Sequence, residues 1–329
     1  MKFLIAGFGS IGRRHLRNLL ALGQTDIVLY RTHHSTLPDH ELAPFVVETD
    51  LEAALAHQPD GVIVSNPSAL HLDVAIPAVH GGGHLLIEKP VADIRDARLA
   101  ELEQVVDQKR VRTLVGFQFR FHPVLNQIRK LLASNALGRV YSFRVHWGEY
   151  LPGWHPWEDY RQGYASRRDL GGGVVNTLCH PLDYARWLFG EVSSVSAVTG
   201  HVSELELDVE DVAEITLNFE SGCLGAIHLD YFQRPGSHWM TITCEQGFIE
   251  WHNDTGIARV YHAQDDNWST LYPPEGFERN DLFLEEMRHF FALISGETQS
   301  VCDLAEGIRA LSLVEAVHES SRSGSIIEV

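Results

Sequence analysis

Phe3-Leu4-Ile5-Ala6-Gly7-Phe8-Gly9-Ser10-Ile11-Gly12 is a short apolar run that passes straight into three spaced glycines, and a helical pattern from Arg13 to Leu22 follows. Between a strand and a helix each glycine has a task. Gly7 permits the tight turn, Gly9 lets the backbone approach a pyrophosphate, and Gly12 lets helix and strand pack closely. The helix N-terminus, with free N–H groups and partial positive charge, points at the same anion. Phe8, Ser10 and Ile11 belong to this loop and count with the glycines as dinucleotide-binding positions. The competing reading is a tight strand–helix turn without a ligand.

Outward from that loop, strands and helices alternate. Strands are expected at Asp26–Tyr30, Phe45–Val47, Gly61–Ser65, His84–Ile87 and Arg112–Gly116. Helices are expected at Leu51–Ala56, His71–Val79 and Ile94–Lys109, and Asn66-Pro67 breaks the strand before it. Short continuous apolar strands between helices mark a parallel sheet covered on both faces. Beyond a helix at Pro123–Ser134 the pattern changes to period-two runs: Val140–Trp147, Val192–Val198, Val212–Phe219, Leu224–Tyr231 and Trp239–Cys244. Shorter candidates are Ile249–Trp251 and Ala258–His262, and two helices, Leu282–Leu293 and Leu304–Glu319, close the chain. The expected fold is α/β: an N-terminal Rossmann doubly wound parallel sheet over residues 1–120, then a C-terminal α/β domain with a large, mostly antiparallel sheet over 121–329.

The totals bound the function. A chain of 329 residues has room for two cores, and 44% hydrophobic with 21% charged residues is ordinary for a soluble protein. No apolar run reaches the roughly 18 residues a membrane helix needs, and the first strand already begins the dinucleotide unit, so no secretory leader is expected. A net charge of −18 argues against nucleic acid and anionic membrane as partners. Cys179, Cys223, Cys244 and Cys302 lie far apart without a C-x-x-C pair. Unpaired thiols, no bound metal and a cytoplasmic setting are therefore expected.

Two further stretches carry chemistry. Ile87-Glu88-Lys89-Pro90 ends a predicted parallel strand, the edge where open α/β sheets bind ligands, so Lys89 is placed to reach a substrate oxygen. The alternative is an ordinary solvated surface lysine. Gly171-Gly172-Gly173 feeds a helical stretch with Asn176 and His180 four residues apart, on one helix face. Histidine is the usual proton carrier near neutral pH. Alone, His180 reads as one of 19 histidines; the triglycine loop and Asn176 raise it above the others.

The glycine loop, Glu88-Lys89-Pro90, Gly116-Phe117-Gln118-Phe119-Arg120-Phe121-His122-Pro123 and the stretch ending at His180 occur in order, and the chain resembles the glucose–fructose oxidoreductase / inositol dehydrogenase (Gfo/Idh/MocA) family over nearly its whole length. The resemblance implies NAD(P)-dependent hydride transfer between nicotinamide and a hydroxyl or keto carbon of a sugar, sugar acid, nucleotide sugar or polyol. It implies that Lys89 hydrogen-bonds the reacting oxygen and His180 carries its proton, with Asn176 beside them in the catalytic set. Asn66, Pro67, His71, Glu88, Lys89 and Gln118 are counted with the cofactor site. Family members commonly carry Asp where this chain has Asn176, and an amide cannot serve as a base, so the acid/base role rests on His180. The family's sheet often forms subunit contacts, and a homodimer or homotetramer through the C-terminal sheet is expected. Two rivals stand beside this reading: a reductase of a non-carbohydrate ketone or imine, and a dinucleotide-sensing regulator without turnover. A sensor needs neither Lys89 nor His180.

NAD sites usually place a carboxylate after the second strand. Here the stretch reads Leu29-Tyr30-Arg31-Thr32-His33-His34. Arg31 can pair with a 2′-phosphate and Thr32 can add a hydrogen bond, so NADP is preferred over NAD. The substrate region is drawn around Arg120, Trp154, Tyr160, Arg161, Arg168, Asn176 and His180. Arginine forks beside aromatic rings suit an anionic sugar. The other reading makes Trp154 and Trp157 core or interface residues and pairs the arginines with Glu158 and Asp159.

Overall fold

Four residues without an exposed side chain form β1 (Phe3–Ala6), as a strand covered on both faces must. The computed structural model describes residues 1–32 and 40–329, so His33 and His34 lie outside the described residues. After β1 come α1 (Ser10–Ala21), β2 (Ile27–Tyr30), β3 (Val46–Glu48), α2 (Leu51–Ala56), β4 (Gly61–Val64), α3 (His71–His80), β5 (His84–Ile87), α4 (Leu99–Lys109) and β6 (Thr113–Val115). The six strands are all parallel in the order β3-β2-β1-β4-β5-β6. This is the doubly wound arrangement expected from the sequence, and its strand order reverses between β1 and β4, where such sheets bind ligands. α2 begins where Asp50 accepts a hydrogen bond from Ala53 N–H. α4 starts five residues later than expected, because Asp93 and Asp96 accept from the backbone N–H of Arg95 and Arg98 and tie residues 93–98 into turns.

The chain continues through α5 (Pro123–Ala133), β7 (Val140–Gly148), α6 (Val174–Thr177), α7 (His180–Phe189), β8 (Val192–Gly200), β9 (Val212–Phe219), β10 (Leu224–Asp230), β11 (Ser237–Cys244), β12 (Gly247–His252), β13 (Ala258–His262), β14 (Asn267–Leu271), α8 (Arg279–Ser295), α9 (Leu304–Ser323) and β15 (Ile327–Glu328). β7 to β15 form one nine-stranded sheet in the order β14-β13-β12-β11-β7-β10-β9-β8-β15. It is antiparallel except where β10 runs parallel to β7. Alternation sends Phe143, Val145 and Trp147 of β7 to the covered face, where Phe143 stacks on Phe189 of α7 at 4.3 Å. The other face carries the row Trp268, Tyr261, Phe248, Thr243, Ser142 and Leu224, one residue from each successive strand.

Two compact units result: residues 1–118, 169–171 and 278–311, and residues 119–168, 172–277 and 312–329. The opening stretch of the first unit ends at Gln118. The return of 278–311 to the first unit is not visible in the linear pattern. It is driven by α8, whose Phe290 and Phe291 pack against Phe3 and whose Asn280 donates to Asn18 of α1. All four cysteines are buried and unbridged. Among the described residues no helix is long and apolar enough to cross a membrane.

Candidate active site

In the first unit the candidate residues gather at the switch point. Gly7 has φ +94°, and a Cβ there would stand 2.3 Å from the Asn66 backbone nitrogen. A Cβ on Gly12 would stand 2.2 Å from the Gly7 carbonyl oxygen, whereas one on Gly9 would meet nothing within 4 Å. Two glycines thus serve chain-to-chain approach and the middle one faces open space, as a loop made to admit a pyrophosphate requires. Phe8 is buried with Arg13 over its ring at 4.9 Å, and no acidic residue occupies the first turn of α1. After β4, Ser65 donates to the carbonyls of Ala6 and Gly7, and Asn66 donates its amide to Leu70 O at 2.8 Å. Pro67 leads into a short 3₁₀ turn. The ring nitrogens of the buried His71 face Asn66 O and Val91 O, and burial holds its pKa below the usual histidine value. These residues, drawn from the sequence as cofactor positions, lie on one edge of one sheet.

Lys89 follows β5 and is partly exposed, with a cis peptide to Pro90. Glu88 before it is buried and accepts from His15 of α1 (Oε1, 2.8 Å) and from the Lys89 backbone N–H (Oε2, 3.4 Å). Burial pushes the Glu88 carboxyl up, but His15 and Lys89 outweigh it and hold the group below the ordinary range. Gln118 is buried at the end of the unit. Arg31 is also buried, its backbone N–H bonded to Glu48 O, and Thr32 is exposed. The nearby carboxylate of Glu48 takes a hydrogen bond from His57 at 2.8 Å.

The second unit holds the other catalytic candidates. Gly173 (φ +113°) starts α6, and a Cβ there would strike the Glu210 carboxylate at 2.4 Å. Glu210 accepts from Val174 N–H through its backbone and from Val175 N–H through its side chain, so it closes the head of α6. Burial pushes its carboxyl up to about 7. Asn176, 8% exposed, donates to Gly172 O and presents its oxygen to His318 Nε2 at 3.3 Å. His180 opens α7 among rings: Phe119 meets it edge-on at 5.2 Å and Trp147 stacks on it at 5.7 Å. Glu210 and His318 were not singled out in the sequence; the first reads as part of an acidic surface run and the second lies far along the chain.

The arginines proposed for substrate are committed elsewhere. Arg120 is buried and forks onto the buried Asp183, with contacts of 3.1 and 2.6 Å. Arg161 pairs with Asp159 and Glu206, and Arg168 gives its backbone N–H to the Asp208 carboxylate and its guanidinium to the Asp208 backbone carbonyl. Asp159 is one of these partners, as the second sequence reading expects, and Glu206 is a further one. Tyr160 accepts from Glu206 N–H, and Trp154 stands edge-on to Tyr231. Trp154 also lines a cavity of about 380 Å³ with Glu149, Tyr150, His238, His252 and Asp254.

Residues 1–117 match the oxidoreductase family with an NAD-binding Rossmann fold, and residues 125–250 match the GFO/IDH/MocA C-terminal domain. The chain belongs to the Gfo/Idh/MocA family of NAD(P)-dependent oxidoreductases. Similar proteins include a D-xylose 1-dehydrogenase (NADP(+)) of Haloferax volcanii, 27% identical across 84% of this chain and 83% of that protein. The inositol 2-dehydrogenase of Rubrobacter xylanophilus is 26% identical across 85% of this chain and 78% of its own length. Among solved structures, levoglucosan dehydrogenase in complex with NADH shares the fold with a TM-score of 0.89 and 20% identity, covering 100% of this chain and 99% of that one.

Proposed function

We propose that this protein is an NADP-preferring dehydrogenase of an uncharged sugar or polyol. The observation that carries the cofactor part is the glycine loop, where Gly9 alone faces open space at the switch point. Bound nicotinamide dinucleotide supplies the hydride acceptor. Taking a hydride from an alcohol carbon requires removing the hydroxyl proton, and His180 is the residue proposed to take it. Lys89 holds the same oxygen as charge develops on it, and Asn176, kept in place by Gly172 and His318, orients a hydroxyl. The preference for NADP rests on Arg31 and on the lack of a carboxylate at Arg31 and Thr32, Glu48 being bonded to His57.

The ion pairs favour an uncharged substrate. Arg120 and Arg161 each face acidic partners, which leaves their charge answered before an anion arrives. The relatives named for D-xylose and inositol act on uncharged compounds, in keeping with this reading. A panel of neutral pentoses, hexoses and inositols, assayed with NADP⁺ and NAD⁺ in parallel, is expected to give turnover with NADP⁺ favoured. Turnover confined to sugar acids or nucleotide sugars would reverse the substrate argument, and equal or better use of NAD⁺ would reverse the cofactor one.

A homo-oligomer through the uncovered sheet face is part of the same proposal. Trp268 and Leu224 on that face are 40% and 53% exposed, and Val198 of β8 is 72% exposed. Light scattering of the purified protein should return a multiple of 36.9 kDa; a monomer mass at micromolar concentration rejects it.

A further inference from the structure

Three titratable side chains meet inside the first unit. His15 comes from α1, Glu88 from the end of β5 and Glu286 from α8, and one donor atom from each lies within 4.8 Å of the others. His15 and Glu286 are 0% exposed and Glu88 is 7% exposed. The Glu88 carboxylate already joins two elements, since Oε1 takes the His15 Nε2–H and Oε2 takes the backbone N–H of Lys89. Gly116 makes room for it, because a Cβ there would press on the same carboxylate at 3.1 Å. Neither carboxyl oxygen of Glu286 meets a hydrogen-bond donor among the described residues.

A bare carboxylate in that position would be desolvated, undonated and beside a second carboxylate, which is prohibitive. A carboxylic acid removes the buried charge and its repulsion with Glu88. We propose that His15, Glu88 and Glu286 form a buried brace in which Glu286 stays a neutral acid, and that the brace fixes Lys89 relative to the cofactor helix α1. Glu286 is thereby a positioning residue that acts through Glu88. Burial first, then the Glu88 charge, raise its pKa well above the ordinary glutamate value. The other titratable groups around the brace are Lys89 and His71, which act on Glu88, and Arg14, which burial and the like charge of Arg279 push down while Glu88 pulls it up.

A carboxyl raised in the folded state contributes stability that is whole at low pH and lost as pH climbs through the folded value. The test rests on the dinucleotide reading only in its second arm. In the first arm, the melting temperature of the cofactor-free protein is followed from about pH 6 to about pH 10 for wild type, Glu286→Gln and Glu286→Met. The lead of both variants over wild type should widen from the acid end to the alkaline end, by roughly 2–4 °C or more. In the second arm, NADPH affinity of wild type should fall about tenfold over the same alkaline range, a typical coupling between sites, while Glu286→Gln holds its affinity. Melting curves that stay parallel at every pH overturn the neutral acid. NADPH affinity equally dependent on pH in wild type and Glu286→Gln overturns the link to the site, whereas failure of all proteins to bind either nucleotide overturns the cofactor reading. Metal analysis adds a further check. A stoichiometric divalent ion in the purified protein, lost in Glu286→Gln, would replace the proton with a metal.

Discussion

The largest loss of activity is expected at His180. His180→Ala should lower kcat by about 10²–10⁴-fold, the usual contribution of a positioned proton carrier, with NADPH affinity unchanged. Lys89→Ala should cost about 10²–10³-fold, as expected for removing one donor to a developing oxyanion. The two losses should combine to less than their product if both residues act on one oxygen. The ring environment makes the comparison interpretable. His180 is 3% exposed and touches Phe119 and Trp147, so its truncation also opens space. His180→Asn is therefore the second variant: it removes less of the side chain than alanine and keeps hydrogen bonding, but cannot carry the proton at neutral pH. Loss of turnover in both, with melting temperature kept in His180→Asn, assigns the defect to chemistry. Full activity in His180→Asn and in Lys89→Ala would remove both residues from the mechanism and return the regulator reading to the front.

Much of this was legible in the sequence because the deciding signals are local. β5, β9, β13 and α2 occupy the residues their apolar periods and caps point to. β14 was missed because Asn267-Trp268-Ser269-Thr270-Leu271 is an edge strand with almost no burial, so it has no inward-facing set to alternate. β15 is only two residues long and exists through pairing with β8, about 130 positions away in the chain. Helix α8 was seen but not its partner, since an amphipathic pattern names a buried face without naming what buries it. Glu286 shows the same limit at the level of one residue. Glu285 and Glu286 are adjacent acids, yet Glu285 is exposed beside Arg288 and Glu286 is enclosed. Motifs likewise placed Lys89, Asn176 and His180 in one chemical argument, but the partners that hold them, Glu88 with His15 and Asn176 with His318, are long-range.

Asp183 is where loss of stability should be greatest. Its carboxylate and the Arg120 guanidinium are 1% and 2% exposed, and the fork reaches both carboxylate oxygens. Such a pair gives little net stability against a well-packed apolar replacement, because both ions are desolvated. Removing one partner is different: Asp183→Ala leaves a guanidinium inside the second unit without its buried counter-charge. A cost of about 3–5 kcal/mol is expected for a break of this kind, seen as a fall in melting temperature on the order of 10 °C. The damage should reach the site, since Asp183 lies on the first turn of α7 three residues after His180, and Phe119, next to Arg120, packs against the His180 ring. Arg120→Met combined with Asp183→Leu should recover most of the stability by withdrawing both charges. The thermal melts of the three proteins decide the point. If Asp183→Ala melts with wild type, the pair is not the buried clamp described; if the double variant is no better than the single, packing rather than charge sets the cost.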